Sequence, residues 1–144
     1  MGGGTLMAAV LDTHALVWLL EGNERLGEKS RGLVRDAATS RTLYVSAITP
    51  WEIAMLVTKG RLAFNREVGQ WLSIALAMPG ISLVPLSVDI SVASTQLPGD
   101  FHADPADRII VATARQLGAT LITEDKLILD YAQAGHVQVH RAGL

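Results

Sequence analysis

The chain has 144 residues, of which 49% are hydrophobic and 18% are charged, and its formal net charge is −2. This length fits one domain with its own core, the small net charge argues against binding nucleic acid through bulk positive charge, and the absence of cysteine excludes disulfides, zinc–thiolate sites and thiol nucleophiles. No apolar run is long enough to cross a bilayer and no signal-peptide pattern precedes the first strand, so we expect a cytoplasmic protein without a membrane segment.

Short apolar runs alternate with helical patterns along the chain. Residues 1–6, which include three successive glycines, are expected to be an added or disordered start, followed by a single domain over 7–144. In chain order, we predict a strand at 8–11, helices at 14–21 and 25–38, a strand at 43–46, helices at 49–58 and 67–78, a strand at 81–86, helices at 88–97 and 108–117, a strand at 119–123, a helix at 124–134 and a strand at 137–139. This alternation predicts an α/β fold with a mainly parallel sheet.

Four acidic residues fall at one edge of the predicted sheet. Asp12 directly follows the first strand, and Asp125 lies just past the fourth. Glu52 and Asp107 lie in the first turns of helices whose amino-terminal ends reach the same edge. Because parallel strands present their carboxyl ends on one side, where ligands bind in open α/β sheets, we expect the four carboxylates to converge.

Each of these acids also has a purely structural interpretation as a helix cap. Thr49 and Glu52 have the spacing of a capping box, and so do Asp104 and Asp107. Capping alone does not explain a cluster of carboxylates, because close like charges repel one another and force some groups to protonate. A divalent cation removes that difficulty. Oxygen ligands without cysteine or a histidine cluster favour Mg²⁺ or Mn²⁺, which can activate water and stabilise displacement at phosphorus.

Four ordered segments carry a more specific pattern. They run over 10–20, 45–54, 101–114 and 120–125, and include Trp51-Glu52-Ile53 and Asp104-Pro105-Ala106-Asp107. Together they resemble the motifs of PIN-domain proteins, and in particular those of VapC-type toxins from toxin–antitoxin pairs. The resemblance extends from about residue 8 to residue 139, which is nearly the whole chain.

The resemblance implies a fold and an activity. The fold is a three-layer α/β/α sandwich with a mainly parallel central sheet, and the activity is a Mg²⁺- or Mn²⁺-dependent endoribonuclease that hydrolyses phosphodiester bonds of single-stranded RNA. It also implies a homodimer and a cognate antitoxin protein. The residues implied to bind the metal and carry catalysis are Asp12, Glu52, Asp107 and Asp125, with support from Asp104 and Thr123.

Two other functions remain open at this point. One is a PIN-like module that binds RNA or protein without cutting, although all four acids are present. The other is a receiver-type signalling domain, which also gathers acids and Mg²⁺ at the carboxyl edge of a parallel sheet. A receiver domain needs two adjacent acids after the first strand, whereas Asp12 stands alone.

The sequence indicates the roles of the basic and histidine side chains near these motifs less specifically. The basic stretch of the second predicted helix is interpreted as a solvated face, with phosphate contact as the alternative; it comprises Arg25, Lys29, Arg31 and Arg35. Arg108 is expected to contact RNA or to neutralise its acidic neighbour, and His102 to bond loop backbone rather than to support the acidic site.

Large apolar side chains suggest contacts with other proteins. The tryptophans, Trp18, Trp51 and Trp71, are expected in the core or at a protein interface rather than stacked on bases. An exposed groove for an antitoxin helix or a second protomer is predicted on the first and third helices, from Leu16, Trp18, Leu19, Leu20, Leu56 and Val57.

Overall fold

A computed structural model describes residues 7–144, so the start predicted at 1–6 lies outside the described residues. Strands and helices alternate along this range as the sequence predicts. The strands are β1 (Ala9–Leu11), β2 (Leu43–Ser46), β3 (Ile81–Val84), β4 (Thr120–Thr123) and β5 (Val139–Arg141). The helices are α1 (Thr13–Leu20), α2 (Glu28–Thr39), α3 (Ile48–Thr58), α4 (Val68–Leu76), α5 (Val88–Thr95), α6 (Pro105–Leu117) and α7 (Lys126–Ala132).

The five strands form one sheet in the order β3-β2-β1-β4-β5, and every neighbouring pair is parallel. The chain builds outward from β1 to β3, then returns to the other side of β1 to add β4 and β5. The direction of winding therefore reverses between β1 and β4. In open α/β sheets this reversal leaves a crevice at the carboxyl ends of the two strands.

Alternate residues of the central strand belong to two separate cores. Ala9 and Leu11 pack with α1, α2 and α4, whereas Val10 packs with α5, α6 and α7. All three side chains are almost completely buried, because successive residues of a strand point to opposite faces of the sheet. Helices thus cover both faces, and the predicted three-layer sandwich with a parallel sheet is confirmed.

The last strand differs from the prediction. It begins at Val139, which pairs with Leu121 of β4, rather than at Val137. Val137 is nevertheless buried, as part of the core that includes α6 and α7. An apolar run therefore predicted burial correctly, but burial alone does not decide where the hydrogen-bonded ladder starts.

The apolar groove predicted on the first helix is wrong for its central residue. Leu16 is completely buried, and Trp18, Leu19 and Leu20 pack against the same core. Leu16 therefore stabilises the contact of α1 with the sheet, whereas the other three side chains are half-buried, and Trp18 lines an open cleft. No helix between residues 7 and 144 has the length and hydropathy needed to cross a membrane.

Candidate active site

The crevice between β1 and β4 contains the acidic residues that the sequence singles out. Leu11 pairs with Ile122, and the Asp12 N–H donates to the Ile122 carbonyl at 3.2 Å, so the two strands end side by side. A cleft of about 510 Å³ opens at this point. The acidic side chains that line it are Asp12, Glu52, Asp104, Asp107, Glu124 and Asp125.

Asp12 and Asp125 are connected through a buried threonine. One oxygen of Asp12 accepts the Ala15 N–H at 2.8 Å and caps α1, while the other accepts the Thr123 hydroxyl. The same hydroxyl oxygen accepts the Asp125 N–H at 3.0 Å. Asp125 in turn caps α7, by accepting the Ile128 N–H at 3.0 Å. Thr123 is fully buried, so it fixes Asp12 and the start of α7 relative to each other.

Glu52 is oriented across the cleft by a residue of another helix. The Thr13 hydroxyl donates to Glu52, and Thr13 Oγ1 also lies 3.3 Å from Thr49 Oγ1. The capping box proposed for Thr49 and Glu52 is therefore wrong. Helix α3 begins at Ile48 without a side-chain cap, and both residues face Thr13 instead.

Asp104 and Asp107 approach the same region from the start of α6. Asp104 caps this helix by accepting the Asp107 N–H at 3.0 Å, as its spacing predicts. The Asp107 carboxylate turns away from a capping role, because its Oδ2 lies 3.0 Å from the His102 Nε2. The His102 ring therefore lies beside the acidic site, and its Nε2 makes no hydrogen bond within the described residues, so the expected backbone contact of this side chain is not found. Glu52, Asp104 and Asp107 each offer an oxygen, and these oxygens lie within 4.8 Å of one another.

Burial, together with neighbouring negative charge, raises the pKa of two of these carboxyl groups. Burial raises the pKa of Asp12 to about 6, despite opposing hydrogen bonds from Thr123 and Ala15. Burial also raises the pKa of Asp107 to about 7, with further contributions from the negative charges of Asp125 and Asp104. Both directions show that the protein holds negative charge here at an energetic cost, which a bound cation would remove.

Two arginines near the acids have different roles. Arg108 donates to the carbonyls of Ser94, Phe101 and His102 at 2.8, 3.0 and 3.2 Å. Its guanidinium therefore fixes the loop before α6, and the two expectations for this residue, RNA contact or charge neutralisation, stay predictions. Among the described residues that line the acidic cleft, Arg61 carries the one permanent positive charge.

Glu124 lies in the cleft wall but is bound elsewhere. Its carboxylate accepts from the Arg141 guanidinium at 2.8 Å and from the Gly143 N–H at 2.7 Å. The hydrogen bond from Arg141 lowers the pKa of Glu124. This carboxylate ties the carboxyl-terminal segment to the rim of the cleft.

Comparison with known proteins agrees with this geometry. The family model for the PIN domain matches residues 9–134. The chain belongs to the PIN domain family. A receiver-type fold has the strand order 2-1-3-4-5, which differs from the order found here, so the signalling alternative is wrong.

Individual relatives cover almost the whole PIN domain. Ribonuclease VapC22 from Mycobacterium tuberculosis is 28% identical over 135 residues, which are 93% of this chain and 99% of that protein. The structure of VapBC2 from Rickettsia felis, bound to a DNA fragment from their promoter, is 17% identical with a TM-score of 0.68, and covers 93% of this chain and 98% of that chain. A toxin–antitoxin complex from Klebsiella pneumoniae is 23% identical with a TM-score of 0.63, over 94% and 98% of the respective chains. At these identities the two structures share the fold.

The donor atoms of this PIN domain suit a hard divalent cation. They are carboxylate oxygens at the ends of β1 and β4, in α3 and at the start of α6. The set of three within 4.8 Å comprises Glu52, Asp104 and Asp107, while Asp12 and Asp125 line the same cleft. Mg²⁺ and Mn²⁺ take such oxygen ligands. The raised pKa values of Asp12 and Asp107 are the expected result when the ligands of a cation are gathered without it.

Proposed function

We propose that this PIN-domain protein is a Mg²⁺- or Mn²⁺-dependent endoribonuclease that hydrolyses phosphodiester bonds of single-stranded RNA, and that it is the toxin of a toxin–antitoxin pair in the cytoplasm. The observation that carries the proposal is the convergence of carboxylates from four parts of the fold in one cleft. Its support comes from the family membership and from a relative that is named a ribonuclease.

In this proposal, the metal ligands and catalytic residues are Asp12, Glu52, Asp107 and Asp125, with support from Asp104 and Thr123. A bound divalent cation supplies positive charge that offsets the phosphate and makes a neighbouring water more acidic. The side chains of the protein orient the metal ligands. Thr13 and Thr123 hold Glu52 and Asp12 by hydroxyl hydrogen bonds, so the ligands are oriented before substrate arrives.

Cleavage of RNA by the purified protein tests the activity. A single-stranded RNA is incubated with Mg²⁺, with Mn²⁺ or with EDTA, and the products are separated by size. We expect cleavage with either metal, none with EDTA, and none with the Asp12→Asn variant, which removes one ligand charge with almost no change in shape. The matched control is Asp36→Asn, an exposed carboxylate on α2, which should cut normally.

Two outcomes contradict this proposal. Equal cleavage by the Asp12→Asn variant means a contaminating nuclease or a different site. RNA binding without cleavage under every metal condition favours the alternative of a non-catalytic PIN module.

The antitoxin and the homodimer belong to the same proposal. Apolar side chains at the β3 edge of the sheet supply a surface for a protein partner, because Leu83, Leu86, Val88 and Val92 are between 46% and 78% exposed. Sedimentation of the purified protein tests the dimer, and a monomer at micromolar concentration would contradict it. Co-purification with the product of an adjacent small reading frame, together with loss of RNA cleavage in that complex, tests the antitoxin.

A further inference from the structure

We propose that a second pocket, next to the acidic cleft, binds an unpaired nucleobase of the RNA, and that Arg61 holds a phosphate between this base and the metal ligands. The inference rests on the proposed function and deepens it, because it names the feature of RNA that the site recognises.

The pocket has a volume of about 470 Å³ and a largely apolar wall, to which Ile48, Trp51, Met55 and Pro105 contribute. Its size is within the range of small-molecule sites, which begin at about 300 Å³. Glu52, Asp104 and Arg61 line both this pocket and the acidic cleft, so Arg61 is the shared cation beside two shared carboxylates. A group bound in one is therefore adjacent to a group bound in the other, as successive parts of one strand would be.

Trp51 differs from the other two tryptophans in its exposure. Trp71 is 6% exposed and stacks on Phe64 with a ring separation of 4.2 Å. Trp18 packs against the core. Trp51 is 57% exposed and directly precedes Glu52 on α3. An indole left open to solvent beside the reacting groups offers the flat apolar face on which unpaired bases stack.

The charges around the pocket fit an RNA strand. The acidic cleft repels a phosphate unless cations lie close to it, and Arg61 is the cation shared by both cavities. Lys59 adds a second positive side chain on the wall of the apolar pocket. Arg108, the other arginine nearby, is held by three carbonyls. Apolar contact for the base and a cation for the phosphate together favour a nucleotide over a purely apolar protein segment.

Binding measurements separate the base contact from the phosphate contact. The Asp12→Asn protein, in Mg²⁺, is titrated into a labelled short oligoadenylate and into a ribose-phosphate oligomer of the same length without bases. Trp51→Ala should weaken binding of the oligoadenylate by roughly 5- to 150-fold, the equivalent of about 1–3 kcal/mol for one stacked base. It should leave binding of the abasic oligomer unchanged, and Trp51→Phe should retain most of the affinity.

Arg61→Gln should act differently, because it should weaken binding of both the oligoadenylate and the abasic oligomer. It should lower the slope of log affinity against log salt by about 0.7, the value for one phosphate contact on a single strand. Two exposed residues that line neither cavity provide matched controls: Ile74→Ala for the apolar truncation and Arg66→Gln for the charge. Both should bind like the parent protein.

The possible results are distinguishable. Equal effects of Trp51→Ala on the two oligomers, or none on either, overturn the base pocket. So does a change from dimer to monomer in Trp51→Ala with unaltered RNA affinity, which would make Trp51 an interface residue. If Trp51→Ala is unfolded by circular dichroism, Trp51→Leu, which keeps apolar volume but has no ring, replaces it in both titrations and is judged by the same outcomes. Absence of metal-dependent cleavage by the wild-type protein, with the predicted binding pattern intact, refutes the proposed nuclease and leaves the pocket standing.

Discussion

Replacing Asp107 by asparagine should stabilise the metal-free protein at neutral pH. The pKa of Asp107 is about 7 in the folded chain, mainly because of burial, against 3.8 for the free side chain. The folded state therefore binds more protons than the unfolded state between these values, and stability must fall as pH rises from about 4 to 7. Asp12 also lowers stability as the pH rises, because its pKa is raised to about 6 in the folded chain. Asparagine has nearly the same shape and no charge, so it removes the contribution of Asp107.

The expected gain in the free energy of unfolding follows from the pKa shift of Asp107. A separation of about three pH units corresponds to an upper limit of about 4 kcal/mol at 1.36 kcal/mol per unit. Asp107 retains contact with solvent, since 19% of its side-chain surface is exposed, and solvent screens part of the repulsion. We therefore expect a gain of about 1–2 kcal/mol at pH 8, which raises the melting temperature by about 2–8 °C for a domain of this size.

Thermal unfolding, followed by circular dichroism in EDTA between pH 5 and pH 8, measures this difference. The Asp107→Asn variant should melt above the wild type at pH 8 and close to it at pH 5. Added Mn²⁺ should stabilise the wild type most at pH 8 and help the variant much less. Asp36→Asn, an exposed substitution on α2, controls for loss of a carboxylate as such. A wild-type melting temperature that rises between pH 5 and pH 8 in EDTA, or a variant that melts lower at pH 8, would refute the reasoning.

Two further substitutions test residues that hold the acidic side chains and the loop before α6 in place. Thr13→Val keeps the side-chain shape but removes the hydroxyl that donates to Glu52, so affinity for Mn²⁺ should fall by about 10- to 100-fold in calorimetric titration; an unchanged affinity would show that Thr13 does not orient the ligand. Arg108→Gln removes three hydrogen bonds to loop carbonyls and should destabilise the fold by about 2–4 kcal/mol in urea unfolding. Arg108→Lys should not restore that stability, because an ammonium lacks the planar fork of donors, and a lysine variant as stable as wild type would be inconsistent with this role.

The architecture was readable from the sequence because its strongest signals are periodic. Short apolar runs such as 8–11 and 119–123 separated by helical patterns predict a parallel α/β sheet, and the described strands lie close to those positions. The last strand was placed two residues early, since Val137 and Val139 look alike in the sequence and only the pairing of Val139 with Leu121 distinguishes them.

The positions of the acids were also predictable, but their partners were not. Asp12 and Asp125 follow apolar runs, and this order alone places them at one sheet edge. Nothing in the sequence relates Thr13 to Glu52, which are separated by 39 positions, or gives Arg61 its place between two cavities. Spacing rules describe neighbours within one helix or strand, whereas these contacts depend on how α1, α3 and the following loop pack together.

The double use of three aspartates has a consequence for how this protein can lose its activity. Asp12, Asp104 and Asp125 each accept a backbone N–H at a helix start while facing the cleft. Asparagine is as good a residue as aspartate at such starts, so its side-chain oxygen still caps each helix while the negative charge is lost. At position 12 the replacement also removes the oxygen that accepts the Thr123 hydroxyl. Under the proposed function, one such replacement is therefore enough to give a folded protein that no longer cleaves RNA. Selection against the nuclease activity could therefore remove it by a single substitution, while the surfaces that bind other proteins stay unchanged.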